Sequence, residues 1–479
     1  MTLPVFNLMV GGKLQPAASG ETFPVLSPST EEAIAQVARG NAADVDQAVA
    51  AAREGFVRWS QLAPNQREAI LLRAADLIAN EGESRFLDLL IDESGSAITK
   101  AKMEIKYTVD LLRTAAGEAR RLYGETFPND NPQRLSMVFR EPLGVVAVVS
   151  PYNAPLSLLT KMTAFPIAAG NSVVIKPSEE TPVVALAFGQ LLLDAGLPPQ
   201  AVSVIPGFGV ECGASLVDHD GIDCIALTGS TNTGKAIGAR AMQKMRRTQL
   251  ELGGKSALLV LRDVHPQAAA KIAAQGIFTH GGQICMANSR IVVERPIHEA
   301  FIAALKSEAQ TLQVGDLRDP GTTYGPLINR AAVNKVMQHI QSALQEGASL
   351  LTGGEIQQGL VIKPTILLNT SHQSAAWREE SFGPVASVVV VDDLAEAIAV
   401  ANDSQFGLSA AVLTHNIQWG FKAVRGIRAG SVHIGMHAFQ SNALAPVGGL
   451  GLSGIGRSGG AYSTEEFTEM KWVSVELGE

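Results

Sequence analysis

A cysteine that follows two glycines is the first residue of this sequence to indicate covalent chemistry. Cys285 lies in Gly-Gly-Gln-Ile-Cys-Met-Ala, residues 281–287, and paired glycines favour a tight loop. A free thiol, with a pKa of ~8.5, is only a few per cent ionised at neutral pH, so a nucleophilic cysteine needs help from its surroundings. Taken alone, Cys285 also fits a small buried residue, which is our interpretation of Cys212 and Cys224 in their apolar surroundings.

Three polar residues are candidates to assist this thiol. Glu251 lies in Leu-Glu-Leu-Gly-Gly. Burial disfavours the charged form of a carboxyl group and makes it usable as a general base. His280, five residues before Cys285, is the alternative base, although it also fits an ordinary loop histidine. Asn153, in Pro-Tyr-Asn-Ala-Pro, can donate its amide to an oxyanion or simply occupy a turn.

A second group of motifs predicts a nucleotide-binding crevice. Residues 229–235, Gly-Ser-Thr-Asn-Thr-Gly-Lys, follow a short apolar run and open a helical pattern, where backbone N–H groups attract phosphate. Ala236 stands where a P-loop needs Ser or Thr, which excludes that NTPase motif, and the G-x-G-x-x-G fingerprint is missing. Residues 176–179, Lys-Pro-Ser-Glu, also follow a strand-like run. An acid there suits a ribose 2′-hydroxyl and repels a 2′-phosphate. Alone, each segment also fits a plain turn or solvated loop.

The elements that must position these residues change character along the chain. The first third is predicted to be helical, with helices after Asn41 and Asn65 and over 85–91 and 105–122. Residues 124–140 are expected to form a loop or an extended arm. From residue 143, short β-branched runs alternate with helical patterns, which predicts parallel sheets covered by helices on both faces. The predicted strands are Gly144–Val149, Ser172–Ile175, Val202–Ile205, Cys224–Leu227, Gln249–Leu252, Ser256–Leu261, Arg290–Val293, Val385–Val391 and Ala410–Leu413.

Composition narrows the class of protein further. The 479 residues are 46% hydrophobic and 18% charged, which is enough apolar material for about three packed domains. A net charge of −8 argues against nucleic acid or an anionic membrane as partner. Three cysteines make no disulfide framework, and no spacing indicates a metal site. No apolar run approaches the ~18 residues of a membrane span, and no basic, apolar leader is visible, so we expect a cytoplasmic protein.

Taken together, the motifs resemble those of the aldehyde dehydrogenase superfamily, whose members use NAD(P) and release the free acid. The resemblance covers roughly Asn7 to Val475 and is specific because six separated elements match in order. They are Asn153, Lys176–Glu179, Gly229–Gly234, Glu251–Gly254, Cys285 and Glu380–Pro384. The Pro-Tyr-Asn-Ala-Pro version is similar to that of members acting on benzaldehyde or vanillin.

The resemblance implies an α/β fold with two doubly wound α/β lobes and a small β oligomerisation arm. The Rossmann-like nucleotide-binding domain is expected over residues 1–122 and 143–252, and the catalytic domain over 253–445. The arm is expected over 123–142 and 446–479. Its edges would pair between subunits, giving a homodimer or homotetramer.

The resemblance also assigns roles to individual residues. Cys285 attacks the aldehyde, Asn153 and the Cys285 backbone N–H hold the oxyanion, and Glu251 activates the water that hydrolyses the thioester. No metal is required. Glu179 favours NAD⁺, with NADP⁺ an option if its side chain turns away. The implied NAD-binding residues are Lys176, Ser178, Glu179, Gly229, Ser230, Gly234, Glu380 and Phe382.

Departures from the common family pattern bear on the substrate. Tyr152 replaces the usual Trp, Ala154 a bulkier residue and Val447 the common Phe. These three residues are predicted to line a widened substrate tunnel for an aromatic aldehyde. A medium-chain aliphatic aldehyde or a semialdehyde is the next candidate. A CoA-acylating relative would have no use for Glu251, and a cysteine hydrolase would use His280 without a nucleotide.

Overall fold

The computed structural model describes residues 2–478. Its helices are α1 Ala42–Trp59, α2 Pro64–Ser94, α3 Ile98–Ala119, α4 Ser157–Ala169, α5 Pro182–Asp194, α6 Ala214–Asp218, α7 Thr231–Gln243, α8 Pro266–Phe278, α9 His298–Gln310, α10 Arg330–Gln345, α11 Ala375–Arg378, α12 Leu394–Asn402, α13 Ile417–Gly426 and α14 Gly460–Glu466. Within these residues, no helix is both long and apolar enough to cross a membrane.

The strands are mostly short, and those at the centre of the two large sheets follow apolar runs of the sequence. They are β1 Val5–Phe6, β2 Leu8–Val10, β3 Lys13–Gln15, β4 Thr22–Leu26, β5 Ala33–Ala38, β6 Glu125–Phe127, β7 Arg134–Pro142, β8 Val145–Val149, β9 Ser172–Lys176, β10 Val202–Val204, β11 Cys224–Thr228, β12 Arg247–Glu251, β13 Ser256–Val260, β14 Asn288–Glu294, β15 Ser349–Thr352, β16 Ile356–Gln358, β17 Val361–Ile362, β18 Thr365–Leu368, β19 Val385–Val391, β20 Phe406–Gly407, β21 Ser409–Leu413, β22 Ser431–Ile434, β23 Leu450–Gly451, β24 Gly454–Ile455 and β25 Thr468–Glu476.

An eight-stranded sheet forms the first lobe, in the order β24-β12-β11-β8-β9-β10-β2-β3. Its five central strands, β12 to β10, run parallel. Alternate residues of β8 enter different cores: Val146 and Val148 pack with α2 to α5, whereas Val145 and Ala147 pack with α1, α6 and α7. Helices therefore cover both faces, and the carboxyl ends of the parallel strands are left to form a crevice.

A second sheet, of seven strands, forms the other lobe in the order β15-β18-β19-β14-β13-β21-β22. All neighbours except β15 and β18 pair in parallel. Leu258 and Val260 pack with α8 and α9, whereas Ala257 and Leu259 pack with α12 and α13. The expected α/β fold with two doubly wound lobes is confirmed.

A separate antiparallel sheet, β25-β7-β6, stands beside the lobes. Its longest pairing runs from Thr468 opposite Pro142 to Glu476 opposite Arg134. The preceding strand β24, by contrast, pairs with β12 in the eight-stranded sheet, and α14 packs against α3 and α4. The chain after residue 446 therefore contacts the first lobe before it joins the three-stranded sheet; the domain limits stay a prediction.

Two expectations about the first third were wrong. Five short strands precede α1, where helix was expected, because runs of two to six residues carry too little periodicity to be recognised. The patterns after Asn65 and over 85–91 belong to the single helix α2, which is 31 residues long. Gly82, inside α2, packs closely on Ile105 of α3, so this residue marks a helix contact rather than a break.

Candidate active site

A cavity of about 1080 Å³ opens at the carboxyl ends of the parallel strands of the first lobe. The segments that follow β8, β9, β11 and β12 line one side of it. The other side is formed by Cys285 and by residues 380–382 from the second lobe. The structure thus brings the thiol to the crevice at which an open α/β sheet binds its ligand.

The loop that carries Cys285 is held in an unusual backbone conformation. His280, Gly281 and Gly282 lie consecutively in the left-handed region, with φ of 54°, 63° and 72°. A Cβ on Gly282 would come within 2.2 Å of the Gly383 carbonyl oxygen, so only glycine fits there. Cys285 is partly exposed at the cavity wall, whereas Cys212 and Cys224 are buried.

The surroundings of Cys285 oppose ionisation of its thiol. Burial raises the pKa of Cys285 to about 12, with the carboxylates of Glu380 and Glu251 acting in the same direction. Lys161 opposes them. An ordinary thiol titrates at a pKa of ~8.5, so these surroundings favour the neutral thiol over the thiolate.

A pH-dependent alkylation rate follows from this raised pKa. Only the thiolate reacts with iodoacetamide, so the second-order rate constant at Cys285 should rise about tenfold per pH unit from about pH 7 to pH 10. Mass spectrometry of the peptide that contains Cys285, without NAD⁺, measures the rate, and Cys285→Ala provides the blank. A plateau below about pH 9 would contradict the raised pKa.

Asn153 lies beside this loop and is 7% exposed. Its Nδ2 donates to the Gln283 carbonyl oxygen at 2.8 Å, two residues before Cys285. An amide nitrogen carries two hydrogens, so one N–H fixes the side chain and the other is available to a ligand. The arrangement can supply a preorganised oxyanion donor.

Glu251 is the last residue of β12 and is 6% exposed. Its Oε1 accepts from Lys161 Nζ at 3.3 Å and from Gln249 Nε2 at 3.2 Å. One carboxylate oxygen is thus held, which leaves the other to take a proton. Lys161 was not predicted from the sequence; the signal that could have revealed it is that it is the one charged residue of the mostly apolar helix α4.

At the far end of the cavity lie Lys176, Ser178 and Glu179, after β9. Lys176 is the buried last residue of this strand, and its Nζ donates to Glu179 Oε2 at 3.0 Å. Ser230 begins α7 as its N-cap and accepts from the Thr233 N–H at 3.2 Å. Carboxylate, ammonium and helix N-terminus therefore surround one space, as a dinucleotide requires.

Glu380 and Phe382 approach the cavity from the second lobe. Glu380 Oε1 accepts from the Gly254 N–H at 3.0 Å, and a Cβ on Gly253 would come within 2.4 Å of Glu380 Oε2. Phe382 meets Tyr152 edge to face, with ring centroids 6.0 Å apart. Burial raises the pKa of Glu380, and the Gly254 N–H opposes that shift.

Four of the predicted residues are not among those that line the cavity: Glu251, Gly234, Ala154 and Val447. Gly234 is buried in α7, where a Cβ would come within 2.3 Å of Leu252, so it serves helix–strand packing. Ala154 and Val447 do not line the cavity; Val447 forms an isolated bridge with Ser458. Over residues 2–478, no cluster of three or more His, Cys, Asp or Glu is placed to hold a metal ion.

This combination of two doubly wound lobes, a coenzyme crevice and a cysteine loop defines an NAD(P)-dependent oxidoreductase of the aldehyde dehydrogenase kind. Residues 15–473 match the model of the aldehyde dehydrogenase family, and the chain belongs to that family. It is an enzyme that oxidises aldehydes to acids with NAD or NADP.

Similar proteins match this chain over nearly its full length. The chain is 37% identical to a vanillin dehydrogenase of Pseudomonas fluorescens, covering 98% of both chains. It is 38% identical to the NADP/NAD-dependent aldehyde dehydrogenase PuuC of Escherichia coli, covering 99% of this chain and 97% of the relative. The structure of an NAD-dependent aldehyde dehydrogenase from Sinorhizobium meliloti superposes with a TM-score of 0.97 at 34% identity. The match covers 100% of this chain and 96% of that structure's chain.

Proposed function

We propose that this enzyme oxidises aromatic aldehydes with NAD⁺, using Cys285 as nucleophile, Asn153 as oxyanion donor and Glu251 as base. The observation that carries the proposal is the shared cavity: Cys285 and Asn153 line the same space as Lys176, Glu179 and Glu380. A sulfur nucleophile and a site for a redox coenzyme therefore meet at one place.

The residues around the cavity fit a dinucleotide. The cavity volume of about 1080 Å³ suits an extended ligand, and Gly253 leaves room that a Cβ would fill. Lys176, Ser178 and Glu179 would hold the adenosine ribose, Gly229 and Ser230 the pyrophosphate, and Glu380 the second ribose, with Phe382 close by. NAD⁺, when bound here, supplies the two-electron acceptor of the oxidation. Glu179 in this position favours NAD⁺ over NADP⁺ because it repels a 2′-phosphate.

The chain's own residues account for bond formation at the aldehyde. The Cys285 thiol gives up its proton to water, the resulting thiolate adds to the carbonyl carbon, and the carbonyl oxygen takes the negative charge as a thiohemiacetal forms. The free N–H of Asn153 and the Cys285 backbone N–H stabilise that oxyanion. Lys161 is the charged group that offsets the carboxylates near the sulfur.

Release of the product requires water and a base. Oxidation leaves an acyl group on Cys285 as a thioester, and the same oxyanion donors polarise its carbonyl. Glu251 takes a proton from water through the carboxylate oxygen that Lys161 and Gln249 leave free. The hydroxide adds, the C–S bond breaks, and the carboxylic acid leaves with Cys285 restored.

Two observations support an aromatic substrate. Tyr152 and Phe382 place two aromatic rings at the cavity wall in an edge-to-face arrangement, and a further ring packs favourably against such a pair. A relative at 37% identity is named vanillin dehydrogenase.

A panel of aldehydes with both coenzymes tests this proposal. Benzaldehyde and vanillin with NAD⁺ should give kcat/KM values at least about tenfold above those of hexanal and succinic semialdehyde, measured by NADH absorbance. NADP⁺ should be the poorer coenzyme. Added CoA should not divert the product to an acyl-CoA. Higher values for the aliphatic aldehydes would refute the aromatic preference while leaving the family activity intact.

The alternative of a cysteine hydrolase that uses His280 as base is not favoured. Burial and the nearby Lys100 lower the pKa of His280 well below its usual value. Its Nε2 is buried and has no hydrogen-bond partner within residues 2–478. Such an imidazole is a weak base.

The same family relationship and the three-stranded sheet support a homo-oligomer, a dimer or a tetramer. Exposed apolar side chains are concentrated on β6, β7 and β25, among them Phe127, Phe139, Met470 and Trp472, of which Trp472 is 68% exposed. An exposed sheet with such side chains pairs readily with another chain. Light scattering should give a mass of two or four subunits; a monomer at micromolar concentration would contradict the proposal.

A further inference from the structure

A lysine on the first lobe's helix α3 contacts the segment that carries the oxyanion donor. The side chain of Lys100 is 14% exposed. Its Nζ donates to the main-chain carbonyl of Asn153 at 2.7 Å, to Glu104 Oε2 at 2.6 Å and to Ser96 Oγ at 3.0 Å. An ammonium has three N–H donors, so all three are used, and one of them holds Asn153.

Glu104, one turn later on the same helix, holds the other end of this segment. Its Oε1 accepts from the backbone N–H groups of Leu156 at 2.9 Å and Ser157 at 3.0 Å. The Glu104 side chain is 2% exposed. The Lys100–Glu104 pair therefore fixes both ends of residues 153–157 to α3, by charge-assisted hydrogen bonds that are stronger than neutral ones.

The Asn153 side chain is held from the opposite direction by the thiol loop. Its Nδ2 donates to the Gln283 carbonyl oxygen, and the Gln283 side chain is itself fixed by His280, Pro326 and Ile328. Asn153 is thus held at two points: α3 binds its main-chain oxygen, and the cysteine loop binds its side-chain amide. A shift of the main chain moves the free N–H relative to the Cys285 sulfur.

We propose that Lys100 is a positioning residue for the oxyanion donor, acting through the main-chain oxygen of Asn153. Without the ammonium, the Asn153 carbonyl loses its charged donor and Glu104 stays buried with no cation beside it. The segment then relaxes, and the amide no longer points at the developing oxyanion. This inference rests on the proposed role of Asn153, and its test separates the two.

A double-mutant cycle tests whether Lys100 acts through Asn153. The variants are Lys100→Met, Asn153→Ala and the double mutant, compared by single-turnover NADH formation with NAD⁺ and benzaldehyde. Loss of an oxyanion donor costs ~10²–10³ in rate, so Lys100→Met should slow the wild-type background about 10- to 100-fold. It should slow the Asn153→Ala background by less than about threefold. Lys102→Met on the same helix is the matched control, because Lys102 is 48% exposed and, among residues 2–478, forms a salt bridge only with Glu83.

A second measurement separates positioning from general damage to the site. Alkylation of Cys285 by iodoacetamide forms no oxyanion, so Lys100→Met should change its rate less than about twofold. Where the methionine variant does not fold, judged by NAD⁺ binding, Lys100→Gln replaces it in the same cycle. It removes the charge beside Glu104 and the Asn153 carbonyl, so it should slow the wild-type background at least about threefold; no slowing would overturn the positioning role.

The outcomes distinguish this inference from the mechanism on which it rests. Equal losses in both backgrounds, or a parallel loss of alkylation, would overturn the positioning role. An Asn153→Ala variant with full activity would overturn the proposed mechanism itself. A large effect of Asn153→Ala with no effect of Lys100→Met would overturn the inference alone.

Discussion

Replacing Cys285 with alanine should abolish aldehyde-dependent NADH formation, lowering kcat by at least about 10⁴-fold. No other thiol can substitute, because Cys212 and Cys224 are both 0% exposed. Coenzyme affinity should change little, since Cys285 is not among the residues proposed to hold the dinucleotide. Steady-state absorbance and NAD⁺ titration measure the two quantities.

Matched variants make this result specific. Cys212→Ala and Cys224→Ala each remove a sulfur from the core of the first lobe and should lower stability by about 1 kcal/mol while keeping kcat. Full activity of Cys285→Ala would remove the nucleophile from the mechanism. Equal losses in all three variants would trace the effect to folding instead.

Replacing Glu251 with glutamine should separate oxidation from hydrolysis. The amide keeps the shape of the side chain but cannot take a proton from water, and a general base is worth ~10²–10⁴ in rate. A rapid burst of about one NADH per subunit should therefore precede a steady state slowed by that factor. Stopped-flow absorbance resolves both phases, and mass spectrometry of the quenched enzyme should find the acyl group on Cys285.

The control for Glu251→Gln is a buried carboxylate far from the thiol. Glu294 is 1% exposed and pairs with Arg262 at the far end of β14. Glu294→Gln should leave no burst and an unchanged turnover rate. An unaltered steady state in Glu251→Gln would assign water activation to another group, and a lost burst would mean that Glu251 is needed before the thioester forms.

The strands and turns that carry the site could be predicted from the sequence because each is formed by a short, continuous segment. β8, β9, β11 and β19 each coincide with a run of apolar residues, whereas β12 is mostly polar, and turn motifs follow β8, β9, β11 and β12. In a parallel sheet, strand order alone brings such turns to one edge. Asn153, Glu179 and Ser230 could therefore be placed near each other without coordinates.

Contacts between distant segments could not be predicted in this way. Lys100 and Asn153 are 53 residues apart, and Lys161 and Glu251 are 90 apart; no periodicity links these pairs. Each lysine lies on a helix, and the spacing of apolar residues along a helix predicts only which of its faces is buried, not which residues a side chain contacts. Val447 was predicted from a motif, yet its place in the fold depends on a bridge to Ser458. Side-chain partners of this kind become visible only in three dimensions.

The three cysteine sulfurs differ in exposure, so the protein can be labelled selectively with a thiol-reactive dye. A maleimide dye applied to the native, coenzyme-free chain should attach to Cys285 alone, because Cys212 and Cys224 lie sealed within the first lobe. The fraction labelled would count competent subunits in any preparation. Protection of that signal by bound nucleotide would report crevice occupancy without any turnover at all.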